Sequence, residues 1–164
     1  VREDPTVPDS ESLRAPAPTE LLTAPELATW RGMLQVHAHV VHELDAEMHA
    51  RHGLSLSAYE VLMLLADAPE RRLRMSELAE RVLLSRSGCT RLVDRLAELG
   101  FVSRCADDSD GRGLYAKLTA AGTRALREAR ATHHDGVRRL FLDRLTATDQ
   151  IALGDIWHRF LSQY

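Results

Sequence analysis

Apolar residues recur along residues 25–51 at alternating steps of three and four: Leu27, Trp30, Leu34, His37, Val41, Leu44 and Met48. Met33, Val36 and Val40 widen the stripe. This spacing predicts one long helix with a heptad-like seam, long enough to pack against a partner chain or a helix pair. Thr23-Ala-Pro-Glu26 offers a capping box with proline in the first turn, and Gly53 a stop. His37 interrupts the apolar seam. A polar group there is expected to be hydrogen-bonded or to face a cavity.

The pattern then shortens. Ser57-Ala-Tyr-Glu60 reads as a second capping box opening a helix over residues 58–66, closed by Ala68-Pro69. Leu73-Arg74 suggests a brief strand. Residues 75–82 read as a third helix, with Leu78, Ala79 and Val82 inward. Leu83-Leu84-Ser85 is a tight turn whose serine caps a fourth helix over residues 86–99, ended by Gly100. Alternation predicts strands over residues 101–105 and 112–118, joined by an Asp-rich turn, with Leu114, Ala116 and Leu118 on one face. Thr119 caps a long helix toward Leu142, expected to bend near Gly136. Thr146-Ala-Thr-Asp149 opens a final helix carrying Ile151, Leu153, Ile156, Trp157, Phe160 and Leu161. The expected fold is mainly α with a small β-wing: a winged helix-turn-helix.

Composition sharpens the ends and the middle. Five of the six prolines fall within residues 1–25, so residues 1–22 read as a Pro-rich tail and residues 23–164 as one domain. Within it, residues 57–118 form the winged lobe, flanked by helical segments at 23–56 and 119–164. Net charge is −3, yet residues 71–104 hold eight arginines against four acids. A local basic stretch matters more for phosphate binding than the global sum. Cys89 and Cys105 are too few for a disulfide framework and read as reduced cytosolic thiols. No apolar run reaches the length of a membrane span and no export pattern opens the chain, so the expected location is cytoplasmic.

Residues 75–119 carry the functional signal. A helix-turn-helix needs a small residue where its helices cross, and Ala79 sits there. On the fourth helix, Cys89, Leu92, Leu96 and Leu99 step by three, four and three and face inward, flanked by Val93. Ser87, Thr90, Arg91, Asp94 and Arg95 then face outward, with Arg86 at the start. Arginines at the N-terminal end of such a helix can grip guanine in the major groove. An ordinary helical hairpin with a solvated arginine face would show the same polarity. The two-stranded wing that follows favours DNA. Asp94 would repel phosphate and is expected to orient Arg91 or Arg95. Gly88 implies close approach to DNA or to the third helix, or a tolerated glycine costing about 1 kcal/mol.

Met75-Ser-Glu-Leu-Ala-Glu-Arg, Leu84-Ser-Arg-Ser-Gly-Cys-Thr-Arg-Leu-Val-Asp-Arg-Leu96 and Gly100-Phe-Val resemble the helix-turn-helix of the MarR family of transcription regulators. Asp107-Asp-Ser-Asp110-Gly-Arg112 and Lys117-Leu-Thr-Ala-Ala-Gly122 are similar to that family's wing and next helix. The resemblance implies a homodimer formed through the N- and C-terminal helices, a fourth helix in the major groove and a wing arginine in the minor groove. It also implies a repressor released by a small phenolic or other aromatic effector. The implied DNA-binding set is Ser85, Arg86, Ser87, Thr90, Arg91, Arg95, Asp110 and Arg112. Gly111 replaces a second wing arginine that is frequent in the family, so Arg112 should matter more.

Other chemistry is weaker. His39 and His42, and His49 and His52, share helix faces, but no complete zinc set is visible, so no cofactor is expected. Trp30 reads as core or dimer packing, or with His37 as the wall of an effector pocket. Cys89 reads as a structural thiol. No phosphate loop, His-Glu-x-x-His or nucleophile elbow marks an enzyme. Two rivals to the single reading remain: a winged-helix adaptor without DNA, which would carry apolar anchors on the fourth helix, and a metal-sensing regulator.

Overall fold

The structure, a computed structural model, describes residues 21–82, 84–106 and 114–162. The predicted tail up to residue 20, Leu83 of the turn, and the wing segment holding Asp107, Asp108, Asp110, Gly111 and Arg112 lie outside the described residues. The chain divides into two compact units, residues 1–34 and 35–164.

In the first unit, residues 24–34 begin helix α1 (Ala24–His52). The expected capping box forms: the Thr23 backbone N–H and hydroxyl both donate to Glu26 Oε2 at 2.7 Å. These hydrogen bonds hold the Glu26 carboxyl below its ordinary pKa. Trp30, Met33 and Leu34 are exposed.

The second unit holds the rest of α1 and all remaining elements. These are α2 (Leu56–Asp67), β1 (Arg72–Arg74), α3 (Met75–Arg81), α4 (Arg86–Glu98), β2 (Val102–Ala106), β3 (Leu114–Leu118), α5 (Ala120–Leu140) and α6 (Ala147–Leu161). Gly53, at φ +64°, ends α1 and donates its N–H to the His49 carbonyl. The cap of α2 is Ser55, not the predicted Ser57: Ser55 Oγ accepts from the Ala58 N–H at 3.1 Å. Two serines two residues apart offer the same cap chemistry. The earlier one is chosen because Leu56 is then buried and its N–H reaches Asp45 Oδ1 at 2.7 Å.

The sheet has three strands: the brief strand expected at Leu73-Arg74, which spans Arg72–Arg74, and the two strands of the wing. All pairs are antiparallel, in the order β1-β3-β2. Leu73 lies opposite Ala116 and Val102 opposite Leu118, and all four side chains are buried. Leu114, expected on that inner face, is exposed at the open end. Beneath the sheet lies one core built by Tyr59, Val61, Leu62 and Leu65 of α2, Leu78 and Ala79 of α3, Cys89, Val93 and Leu96 of α4, and Leu126 and Ala129 of α5.

Two glycines let helices approach other parts of this unit. A Cβ on Gly122 would sit 2.1 Å from the Phe101 carbonyl oxygen, and one on Gly136 would sit 2.5 Å from Leu44 Cδ2. Gly136 therefore marks a close contact of α5 with α1, and α5 runs as one helix through it. Beside it, Arg139 pairs with Glu47 at 2.7 Å and His52 Nε2 meets Thr132 Oγ1 at 2.8 Å. Thr146 and Asp149 form the predicted capping box of α6.

Candidate nucleic-acid interface

Helix α4 is built so that one side belongs to the core and the other to solvent. Ser85 caps it, accepting from the Gly88 N–H at 3.1 Å. Cys89, Val93 and Leu96 are buried, and Leu92 is half-buried. Leu99 does not join them. It is 55 % exposed because the helix ends at Glu98 and Leu99 is the C-cap. Ser85, Arg86, Ser87, Thr90, Arg91 and Arg95 are all exposed. The polar face thus carries three of the chemistries that read base edges and phosphates: two hydroxyl types and guanidinium.

Two features of this helix differ from expectation. Asp94 pairs with neither Arg91 nor Arg95. Its Oδ1 meets Arg104 of β2 at 2.6 Å, and the same Arg104 nitrogen, Nη2, donates to the Thr90 carbonyl at 3.4 Å. Helical spacing places Arg91 and Arg95 near Asp94 in sequence, so periodicity could not reveal a partner on a strand. A Cβ on Gly88 would meet Ser85 Oγ at 3.1 Å and Leu84 Cβ at 3.8 Å, and among the described residues nothing of α3 lies within 4 Å. The crowding at Gly88 comes from its own cap rather than from the third helix.

An open groove of about 490 Å³ runs beside α4, lined by Gly88, Arg91, Leu92, Arg95 and Glu98 with Ser57 of α2 on the far wall. Cys89 lies under the helix as a free, buried thiol. Burial pushes its pKa up, and the nearby Arg104 charge offsets part of that rise. A raised pKa disfavours the reactive thiolate and fits a structural thiol.

In sequence and fold the chain is similar to known regulators. A model of the MarR family matches residues 52–113. A MarR family transcriptional regulator from Streptomyces coelicolor, Sco3205, whose crystal structure is in complex with DNA, is 36 % identical; the match covers 88 % of this chain and 91 % of that one with a TM-score of 0.82. The chain belongs to the MarR family. Another family member from the same organism, AbsC, is 32 % identical, with 88 % of this chain and 97 % of that chain covered and a TM-score of 0.80. The HTH-type transcriptional repressor YetL of Bacillus subtilis is 40 % identical over 79 residues, 48 % of this chain. The match spans 47 % of YetL, about half its length. Membership places the chain among transcription regulators rather than enzymes.

Family membership makes the position of the remaining candidates informative. Trp30 is 53 % exposed on α1, and His37 is exposed further along the same helix. Neither lines the groove beside α4 or a smaller cavity of about 220 Å³ bounded by His133, His134, Val137, Arg138 and Leu142. The His133 ring stacks on Tyr59 with centroids 4.5 Å apart, and among the described residues its buried Nδ1 has no hydrogen-bond partner. Burial, then the neighbouring His134 charge, lowers the His133 pKa. An α2 aromatic stacking on α5 leaves no periodic trace, so the sequence pattern gives no signal for His133. Among the described residues no group of three or more His, Cys, Asp or Glu side chains could hold a metal ion, and no helix is long and apolar enough to cross a membrane.

Proposed function

We propose that this chain is a sequence-specific double-stranded DNA-binding transcriptional regulator that acts as a homodimer and represses until a small aromatic effector binds. The carrying observation is α4: a capped helix, buried on one side, whose other side exposes Ser87, Thr90, Arg91 and Arg95. That face lacks the apolar anchors an adaptor would present. It suits insertion into the major groove, with Arg86, Ser87, Thr90 and Arg91 reading bases and Arg95 gripping phosphate. Ser85 fixes the N-terminus that approaches the backbone. Arg112, aimed by Asp110, is assigned to the minor groove, where a narrow A·T-rich stretch attracts arginine.

The dimer reading rests on exposed apolar side chains at both ends. Met33, Val36 and Val41 on α1, and Ile151, Trp157, Phe160 and Leu161 on α6, are exposed in the single chain. Large contiguous apolar exposure marks interaction sites. The effector is proposed to take Trp30 as an aromatic contact and His37 as a polar one. It can release DNA only by binding the two conformations with different affinity.

The test is a gel shift of the full chain against genomic fragments with excess random competitor DNA, at a stated salt concentration. Retarded bands that survive competitor support the reading. Loss of every band at the competitor level that also displaces an unrelated basic protein overturns it.

A further inference from the structure

We infer that Arg104 is a positioning residue that straps the wing strand β2 to the DNA-facing helix α4, and that Asp94 is its anchor. The inference deepens the DNA-binding reading above and rests on it. One guanidinium nitrogen of Arg104, Nη2, spans two acceptors on α4: Asp94 Oδ1 at 2.6 Å and the Thr90 carbonyl oxygen at 3.4 Å. Thr90 and Asp94 lie four residues apart, so one side chain from the strand bridges a full helical turn. The Thr90 hydroxyl donates within the helix, to the Arg86 carbonyl at 2.9 Å. The tie therefore lands on the segment that holds Arg86, Ser87, Thr90 and Arg91.

Chain geometry gives the strap its consequence. Val102 and Arg104 leave α4 only through Leu99, Gly100 and Phe101, and Gly100 has φ +72°. Covalent linkage fixes the start of β2 at the far end of α4. Arg104 adds a second attachment near the middle of the helix. With the core packing of Val102 and the pairing of β2 with β3 already holding the strand, this polar tie adds to the control of the angle between strand and helix. β2 and β3 form the wing strands, so that angle sets the direction of the strand pair relative to α4.

The pair also resolves the charge problem at Asp94. A carboxylate half-exposed on a DNA-facing helix would repel phosphate. Its ion pair with Arg104 neutralises it and at the same time withdraws Arg104 from phosphate binding. An exposed ion pair contributes little to folding. Its value lies in orientation, where misplacement of a contact is felt as lost specificity.

The experiment measures affinity of the full chain for a 30-bp duplex selected from random DNA by the native protein, and for a scrambled duplex of the same composition. The flanks of the selected duplex are also exchanged between A·T and G·C. Native binding to the selected duplex establishes the DNA-binding reading independently; its failure would remove that reading rather than this one. Arg104→Ala is expected to lower affinity for the selected duplex roughly tenfold, within the range of coupled neighbours, and to abolish the flank preference. It should leave the helix-read positions and the melting midpoint near native. Arg104→Lys should restore part of the affinity, because the ammonium keeps the charge but loses the rigid planar guanidinium that fixes the geometry. Asp94→Asn combined with Arg104→Ala should regain affinity for both duplexes, since the unpaired carboxylate is gone, yet still lack the flank preference. Retained flank preference in a folded Arg104→Ala protein overturns the inference. So does its full return in the double variant, which would reduce the pair to charge masking.

Discussion

Helices α4 and α6 lie in the same unit, but the fold treats their apolar residues in opposite ways. Helix α4 buries Cys89, Val93 and Leu96 within its own chain and leaves a polar face outside. Helix α6 buries nothing completely and leaves Trp157 42 % and Phe160 63 % exposed, their rings 6.4 Å apart. The first helix is finished by its own domain, so its exposed chemistry is available to DNA. The second is unfinished, and hydrophobic area left in water is a driving force for association. Exposure therefore means two different things along one chain, and the type of residue exposed tells them apart.

The largest effect should come from charging the unfinished helix. Trp157→Glu with Phe160→Glu places carboxylates in the proposed interface, where an unpaired buried charge costs several kcal/mol. Sedimentation should show monomer at micromolar concentration, with the circular dichroism of the lobe retained. A dimer of native stability would remove α6 from the interface.

Next comes the finished core. Gly122→Ala forces a Cβ to within 2.1 Å of a backbone carbonyl that cannot rotate away. Over-packing of this kind costs about 1–3 kcal/mol or more. Thermal unfolding should report it, and an unchanged midpoint would show that α5 can shift freely against the wing root. Gly53→Ala, at φ +64° with open space around it, should lose less, about 1 kcal/mol.

Arg91→Ala and Arg95→Ala divide the polar face. Arg91→Ala should cost about 1–3 kcal/mol on the selected duplex and relax preference at one base position. Arg95→Ala should weaken all sequences alike and reduce the salt slope by about one. Equal losses on cognate and random DNA for both variants would contradict the assignment.

The smallest effect is on pH dependence. His133 is held below its ordinary pKa, 6.5, by burial and by His134. The unfolded chain then binds the extra proton more readily, so the contribution is full above about 6.5 and is lost as pH falls through the folded value. Stability should decline on acidification through that window. His133→Phe, which keeps a ring against Tyr59, should flatten the decline; an unaltered slope would assign it to other groups.

Most of this organisation was legible in the sequence where local chemistry decides the structure. The caps at Thr23, Ser85, Thr119 and Thr146 were each read from a hydroxyl residue before an apolar run, and all four accept from the expected N–H. Helix α4 was legible because burial on one side leaves a period of 3.6. What escaped notice was non-local. Arg72 and Arg74 lie over the Tyr115 ring across a strand pair, at 5.1 and 5.4 Å from its centre. The pairing of β1 with β3, the Tyr59–His133 stack and the Arg104–Asp94 pair join residues 41, 74 and 10 positions apart, where no spacing rule applies. The spacing along α1 predicts an apolar stripe, and of it only Leu44 and Met48 are buried in the single chain. A pattern shows which side is apolar, not which molecule covers it.

The most direct test of a dimer reading DNA through α4 is selection of bound duplexes from random DNA by the native chain, at a fixed and stated salt concentration. The account predicts enrichment of a pseudo-palindrome whose half-sites lie one helical turn apart, about 34–36 Å, or a multiple of it. Recovery of no enriched sequence, or of a single half-site without symmetry, would contradict it.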